Sequence, residues 1–126
     1  MAEGYPVQFR GTFPQSEIDA IFADIDFLVI PSIWYENSPL VLLNSLASHT
    51  PVIVSDVAGM TEFVDEGTNG FIFKRGSVDD LERVLQKIVK APEQARALTH
   101  TTEYTRTTRV MVEEIVKVYD AIQKAR

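Results

Sequence analysis

The chain has 126 residues, with 12 Lys and Arg against 18 Asp and Glu for a formal charge of −6, and 45% of it is hydrophobic; one acidic domain is expected, able to bury roughly two-thirds of its unfolded surface. The acidic balance without basic runs speaks against nucleic acid as a partner, and zero cysteines exclude disulfides, thiolate catalysis and cysteine zinc sites. Two isolated histidines (His49, His100) are too few for a histidine-rich metal site, no apolar stretch nears the roughly 20 residues of a membrane span, and Met1-Ala2-Glu3-Gly4 does not open a signal peptide, so a soluble, cytoplasmic chain is expected.

In chain order, Val7–Arg10 reads as a strand closed by Gly11. A helix follows from Ser16, its N-cap, with Ile18, Ile21 and Phe22 on one face. Phe27–Ile30 is a continuous apolar run ending at Pro31-Ser32, the pattern of a buried parallel strand. Ser38 as N-cap and Pro39 at the first helical position then open a helix from about Pro39 to Ser48. Pro51–Ser55 is a second buried strand, Met60–Val64 a short helical turn, and Gly70–Lys74 a further strand after the turn signal Gly67-Thr68-Asn69-Gly70. After Ser77, the positions Leu81, Val84, Leu85 and Ile88 form one helical stripe. From Thr102, Val110, Met111, Ile115, Val118 and Ile122 form another, with Pro92 as the break between them. This alternation predicts an α/β domain over 1–126, with one open, mostly parallel sheet and helices on both faces.

Ligands of such sheets sit at the carboxyl ends of the strands, which singles out the loop from Ile30 to Pro39. Unpaired amides at a helix N-terminus favour phosphate, and the small Asn37 and Ser38 leave them approachable; the plainer reading is that Ser38 caps its own helix. Glu36 follows Ile33-Trp34-Tyr35, an aromatic cluster suited to stacking on sugar or base rings, and its carboxylate can accept from hydroxyl groups; otherwise it is a surface partner of the helix dipole. Asn44 lies among apolar helix neighbours, roughly on the helical line of Asn37 and Val41, and needs a partner, either a ligand or neighbouring backbone.

Phe9-Arg10-Gly11, Asp26–Ser32, Tyr35-Glu36-Asn37-Ser38-Pro39, Thr50–Asp56, Gly59-Met60-Thr61-Glu62 and Gly67-Thr68-Asn69-Gly70-Phe71 occur in order. From Val7 to about Val89 the run resembles the group 1 glycosyltransferases, in particular the C-terminal, donor-binding half of retaining enzymes of GT-B architecture. The resemblance implies a Rossmann-like domain that takes a nucleotide sugar as substrate and transfers the sugar with retention, without a metal or other cofactor. It places Glu36 at the first glutamate of the family's E-x7-E motif, against the donor-sugar hydroxyls. It assigns the backbone of Asn37, Ser38, Pro39 and Leu40 to the sugar and diphosphate, although Pro39 has no N–H. The second glutamate, which binds ribose, falls at Asn44, a departure that removes a charge. Ala58 before Gly59, and His49 at a helix end, stand where glycines are usual. Gly11 and Phe13 are candidate nucleotide contacts.

The family's basic pair for the diphosphate is missing, since Arg10 is the one basic residue in the first thirty positions. The N-terminal acceptor-binding domain is also missing, so the expectation is a truncated piece, inactive alone, that self-associates through exposed apolar surface. The full-length enzyme would be cytoplasmic, including peripheral attachment to a membrane. Neither His49 nor His100 receives a catalytic role. Two other readings compete: a non-catalytic scaffold, suggested by Asn44 and the long final helix, and a phosphoacceptor receiver domain using Asp56 and Lys74. The receiver reading is disfavoured because the first strand ends Phe9-Arg10-Gly11, without an acidic pair for magnesium.

Overall fold

The computed structural model describes residues 4–101, 104–105 and 107–125. Three apolar runs form the strands β1 (Leu28–Ile30), β2 (Val52–Ser55) and β3 (Gly70–Phe73), all parallel in the order β1-β2-β3. Val29, Ile53 and Phe71 stand side by side in register, as do Ile30, Val54 and Ile72. Every residue of β2 is buried, because this central strand is covered on both faces and so carries no polar alternation.

The pleat divides the core in two. Ile30, Val52 and Val54 pack with Leu42 and Leu46 of α2 (Leu40–Ala47), together with Val57, Met60 and Val64. On the other face Ile53, Phe71 and Phe73 pack with Val84 of α3 (Val78–Lys90) and Leu98 of α4 (Pro92–Thr101). Ahead of β1 runs α1 (Ile18–Ala23), which buries Phe22. Its carbonyl accepts from the buried Thr50 hydroxyl at 3.1 Å, tying α1 to the start of β2.

Local chemistry explains most boundaries. The Ser77 hydroxyl accepts from the Asp80 amide at 3.2 Å and caps α3, whose first turn is acidic and last turn basic, as the helix dipole favours. α2 ends in a left-handed His49 at φ 59°, whose amide donates to Leu46 while the Thr50 amide donates to Ser45. That is the Schellman arrangement, so a histidine here carries the conformation a glycine would carry more cheaply. The turn predicted at Met60–Val64 is a 3-10 turn over Thr61–Phe63. α5 (Thr108–Lys124), capped by the Thr107 hydroxyl, buries none of its residues. Thr102, where the sequence starts this helix, lies outside the described residues, as do Met1, Ala2 and Glu3 of the opening segment.

Two expectations are corrected. Val7–Arg10 is not a strand: among the described residues β1 pairs with β2 alone, and Val7 and Phe9 lie exposed, because a β-rich tetrapeptide needs a neighbouring ladder to become one. Ser16 is not an N-cap. Pro14 is extended and leads straight into a 3-10 turn, Gln15–Glu17, from which α1 continues without a side-chain cap. Pro92 marks a helix break as expected, since α3 ends at Lys90; it also starts the further helix α4, a position where its missing N–H has no helical partner to lose.

Candidate functional site

β1 delivers the chain to Pro31-Ser32 at the carboxyl edge of the sheet, and the following loop turns back into α2. The buried Ser55 hydroxyl, at the end of β2, donates to the Ser32 carbonyl at 2.5 Å. The Ser32 hydroxyl donates to Glu36 Oε1 at 2.6 Å. The Glu36 amide in turn donates to the Ala58 carbonyl at 3.2 Å. Gly59, at φ 85°, presses so close that an added Cβ would stand 1.8 Å from the Glu36 carbonyl oxygen. Glu36 is thus held by side chain and backbone together. Ala58 is not left-handed, so replacing the usual first glycine of that pair leaves the local backbone unstrained.

Beyond Glu36, Ser38 adopts φ 53° and the N-cap is Pro39, with no side-chain cap bond. This corrects both assignments at the helix start. A residue at positive φ cannot hold the extended N-cap conformation that turns a hydroxyl onto the helical amides, and α2 begins one residue after the proline. The plainer reading of Ser38 as a cap therefore falls. Among the described residues no hydrogen bond takes up the amides of Asn37, Ser38, Leu40 or Val41, leaving four donors at the end of a helix whose dipole is positive there. An anion with several oxygens matches that chemistry.

Asn44, half-buried and one turn into α2, makes no side-chain hydrogen bond among the described residues, so the backbone partner considered for it is not present. It shares a face with Leu40, not with Asn37, which lies outside the helix and off the expected line. Ile33, Trp34 and Tyr35 are exposed, as their sequence suggests. Sequence reasoning missed a cation here: the Arg75 guanidinium lies 5.9 Å from the Tyr35 ring centre, its backbone N–H bonded to Asp56 Oδ1 at 2.6 Å. The signal was available, since Lys74-Arg75 leave the sheet at the carboxyl end of β3, on the edge where the loop lies.

Arg10 is engaged elsewhere, 3.5 Å from Asp24 in the turn that precedes β1, toward the amino end of that strand. Gly11 and Phe13 lie exposed in the segment ahead of α1, and no hydrogen bond joins them to the loop among the described residues. Lys74 offers its amide to Asp80, whose carboxyl is held below its usual range first by the Arg83 side chain and then by that amide. A groove of about 930 Å³ opens on the α3/α4 side around Phe27, Val29, Leu85 and Ala95, and no residue of the 31–39 loop lines it. No group of three His, Cys, Asp or Glu side chains converges as a metal site among the described residues.

The profile described as "Glycosyl transferases group 1" matches residues 4–105. The chain belongs to the group 1 glycosyltransferase family. This group 1 chain is 33% identical over 94 residues to D-inositol 3-phosphate glycosyltransferase of Stackebrandtia nassauensis, covering 71% of this chain and 21% of that protein. It is 27% identical over 84 residues to 2-deoxystreptamine glucosyltransferase of Streptomyces kanamyceticus, covering 67% of this chain and 21% of that one. It spans about a fifth of the curated relatives it matches. Among solved structures it superposes on sucrose-phosphate synthase of Thermosynechococcus elongatus with a TM-score of 0.74 at 22% identity, over 94% of this chain and 31% of that one. It also superposes on Anabaena HepE, solved in complex with UDP, with a TM-score of 0.60 at 18% identity, over 77% and 29% of the two chains. At such identities these likenesses establish the Rossmann-like α/β fold, and the family match displaces the receiver reading of Asp56 and Lys74.

Proposed function

We propose that the chain is the donor-binding portion of a retaining glycosyltransferase, taking a nucleotide sugar at the carboxyl end of β1. The observation that carries this reading is the pairing of a fixed Glu36 carboxylate with the open amides of Asn37, Ser38 and Leu40 at the start of α2. In this assignment the amides receive the diphosphate, Glu36 accepts from sugar hydroxyls, and Asn44 stands toward the ribose with one carbonyl acceptor. The bond between the anomeric carbon and the diphosphate breaks, its electron pair leaving with the nucleoside diphosphate. The acceptor oxygen forms the new bond on the same face, and its proton passes to the released diphosphate. The acceptor and an N-terminal domain that binds it belong to the remainder of the enzyme, and a closed cleft requires both walls. HepE, solved with UDP-glucose in another crystal, supports a nucleotide sugar as the ligand class. With the Arg10 side chain turned to Asp24, we assign Arg75, beside Tyr35, to the diphosphate.

Isothermal titration with UDP, GDP, ADP and their common sugar conjugates tests the reading. One base is expected to be preferred, its sugar conjugate is expected to bind more tightly than the bare diphosphate, and Glu36→Ala should abolish that difference. A sugar conjugate bound no better than its diphosphate by the unmodified chain removes Glu36 from the role.

A further inference from the structure

Glu36 sits in a nine-residue loop, and a glutamate side chain on such a loop ordinarily keeps rotamer freedom that must be lost when it meets a ligand. Here that freedom is removed in advance. The last ladder pair of β1 and β2 is Ile30 with Val54, and beyond it the sheet continues through a side chain: the Ser55 hydroxyl, fully buried, donates to the Ser32 carbonyl. Ser32 therefore stands at a fixed point relative to the sheet. Its own hydroxyl proton goes to Glu36 Oε1, while Oε2 accepts no hydrogen bond among the described residues. On the far side of the loop the Ala58 carbonyl and the Cα of Gly59 fix the Glu36 backbone.

We propose that Ser32 is the positioning residue for Glu36, with its hydroxyl fixing the carboxylate rotamer so that Oε2 is left to the donor sugar. This rests on the reading of Glu36 as the sugar contact. It differs from a purely structural role for Ser32, in which the hydroxyl satisfies a half-buried carboxylate and nothing downstream depends on its geometry. Ser55 acts one step behind, through the Ser32 backbone. Threonine at position 32 keeps the hydroxyl, whereas alanine removes it and leaves the Ser55 bond to the carbonyl intact.

The test compares the unmodified chain with Ser32→Ala, Ser32→Thr and Glu36→Ala by two readouts. The first needs no ligand: side-chain scalar couplings of Glu36 in isotope-labelled protein, which report one rotamer or an average of several. The second is the ratio of UDP-glucose to UDP affinity. A single rotamer is expected in the unmodified chain and in Ser32→Thr, with averaging in Ser32→Ala. The affinity ratio in Ser32→Ala is expected to fall about tenfold, the scale of one charge-assisted hydrogen bond, with UDP affinity itself within about twofold. A single Glu36 rotamer retained in Ser32→Ala overturns the proposal, whether or not either nucleotide binds. So does a Ser32→Ala chain that loses UDP affinity and folded structure together. If Glu36→Ala collapses the ratio while Ser32→Ala does not, positioning by Ser32 is wrong and the sugar-contact reading stands. If Glu36→Ala leaves the ratio unchanged, the sugar-contact reading itself is wrong.

Discussion

Replacing Gly59 by alanine should damage the site from a distance of 23 positions in the sequence. The added Cβ would lie 1.8 Å from the Glu36 carbonyl oxygen and 2.6 Å from its carbon. Real contacts rarely fall under 3.0 Å, so the two segments must part by about 1.2 Å. A second cost comes from φ 85°, which disfavours any Cβ by about 1–2 kcal/mol. Overpacking adds about 1–3 kcal/mol, for a total of about 2–5 kcal/mol. Gly67 separates the two costs, because it has φ 78° and nothing within 4 Å of its added Cβ. Thermal or urea unfolding should therefore show Gly67→Ala losing the conformational part alone and Gly59→Ala losing about twice as much. The same displacement moves Glu36 by roughly the 1 Å that costs about 100-fold in a positioned reaction, so the affinity advantage of a sugar conjugate over its diphosphate should vanish in Gly59→Ala and persist in Gly67→Ala. Equal losses of stability in the two variants, or a sugar advantage untouched in Gly59→Ala, would refute the claim that this close approach holds Glu36.

Three further outcomes are expected. Asn44→Glu should tighten UDP binding by about tenfold in titration, through charge-assisted bonds to the ribose hydroxyls, and unchanged affinity would mark Asn44 as structural. Thr50→Val should lower the urea midpoint by about 1–2 kcal/mol of stability without changing the slope, since it leaves the Phe22 carbonyl without its 3.1 Å donor; an unchanged midpoint refutes this. Asp80 has a folded pKa lowered from 3.8, chiefly by its bond to Arg83, so its contribution is present above pH 3.8 and is lost as pH falls through the lowered value. Stability measured from pH 7 to 5 should not differ in its pH dependence between the unmodified chain and Asp80→Asn, whereas below about pH 4 the unmodified chain should lose stability more steeply.

What could be read from the sequence was what local chemistry decides. Val52–Ser55 announces itself as a central strand because both of its faces are covered, and the helix after Ser77 follows from one cap and one stripe of leucine, valine and isoleucine. The position of Glu36, on the loop between β1 and α2, could be read from the strand and helix signals on either side. What depended on partners far along the sequence could not be read. Val7–Arg10 has strand composition, but a strand exists only beside another, and none among the described residues pairs with it. Ser38 has the composition of a cap, yet its positive φ follows from the path of the whole loop. The bonds from Ser55 to Ser32 and from Glu36 to Ala58 join segments more than twenty residues apart, and no spacing rule predicts them. At Pro92 the break was legible, but that the same proline starts α4 depends on the packing of Ala95 and Leu98.

The final helix has a thermal consequence. α5 runs for 17 residues, about 26 Å, without a buried side chain, held by the Thr107 cap and a loose Arg109–Glu113 pair at 3.9 Å. Isolated helices shorter than about 12–15 residues are marginal in water even when rich in alanine, and α5 exceeds that by only a few residues while carrying β-branched Val and Ile in place of alanine. Heating should therefore unwind α5 gradually and from its ends, ahead of the sheet and independently of it. The far-ultraviolet dichroism of the chain would then slope downward well before the cooperative step, and that early loss measures how much of the helix stands by its own backbone alone.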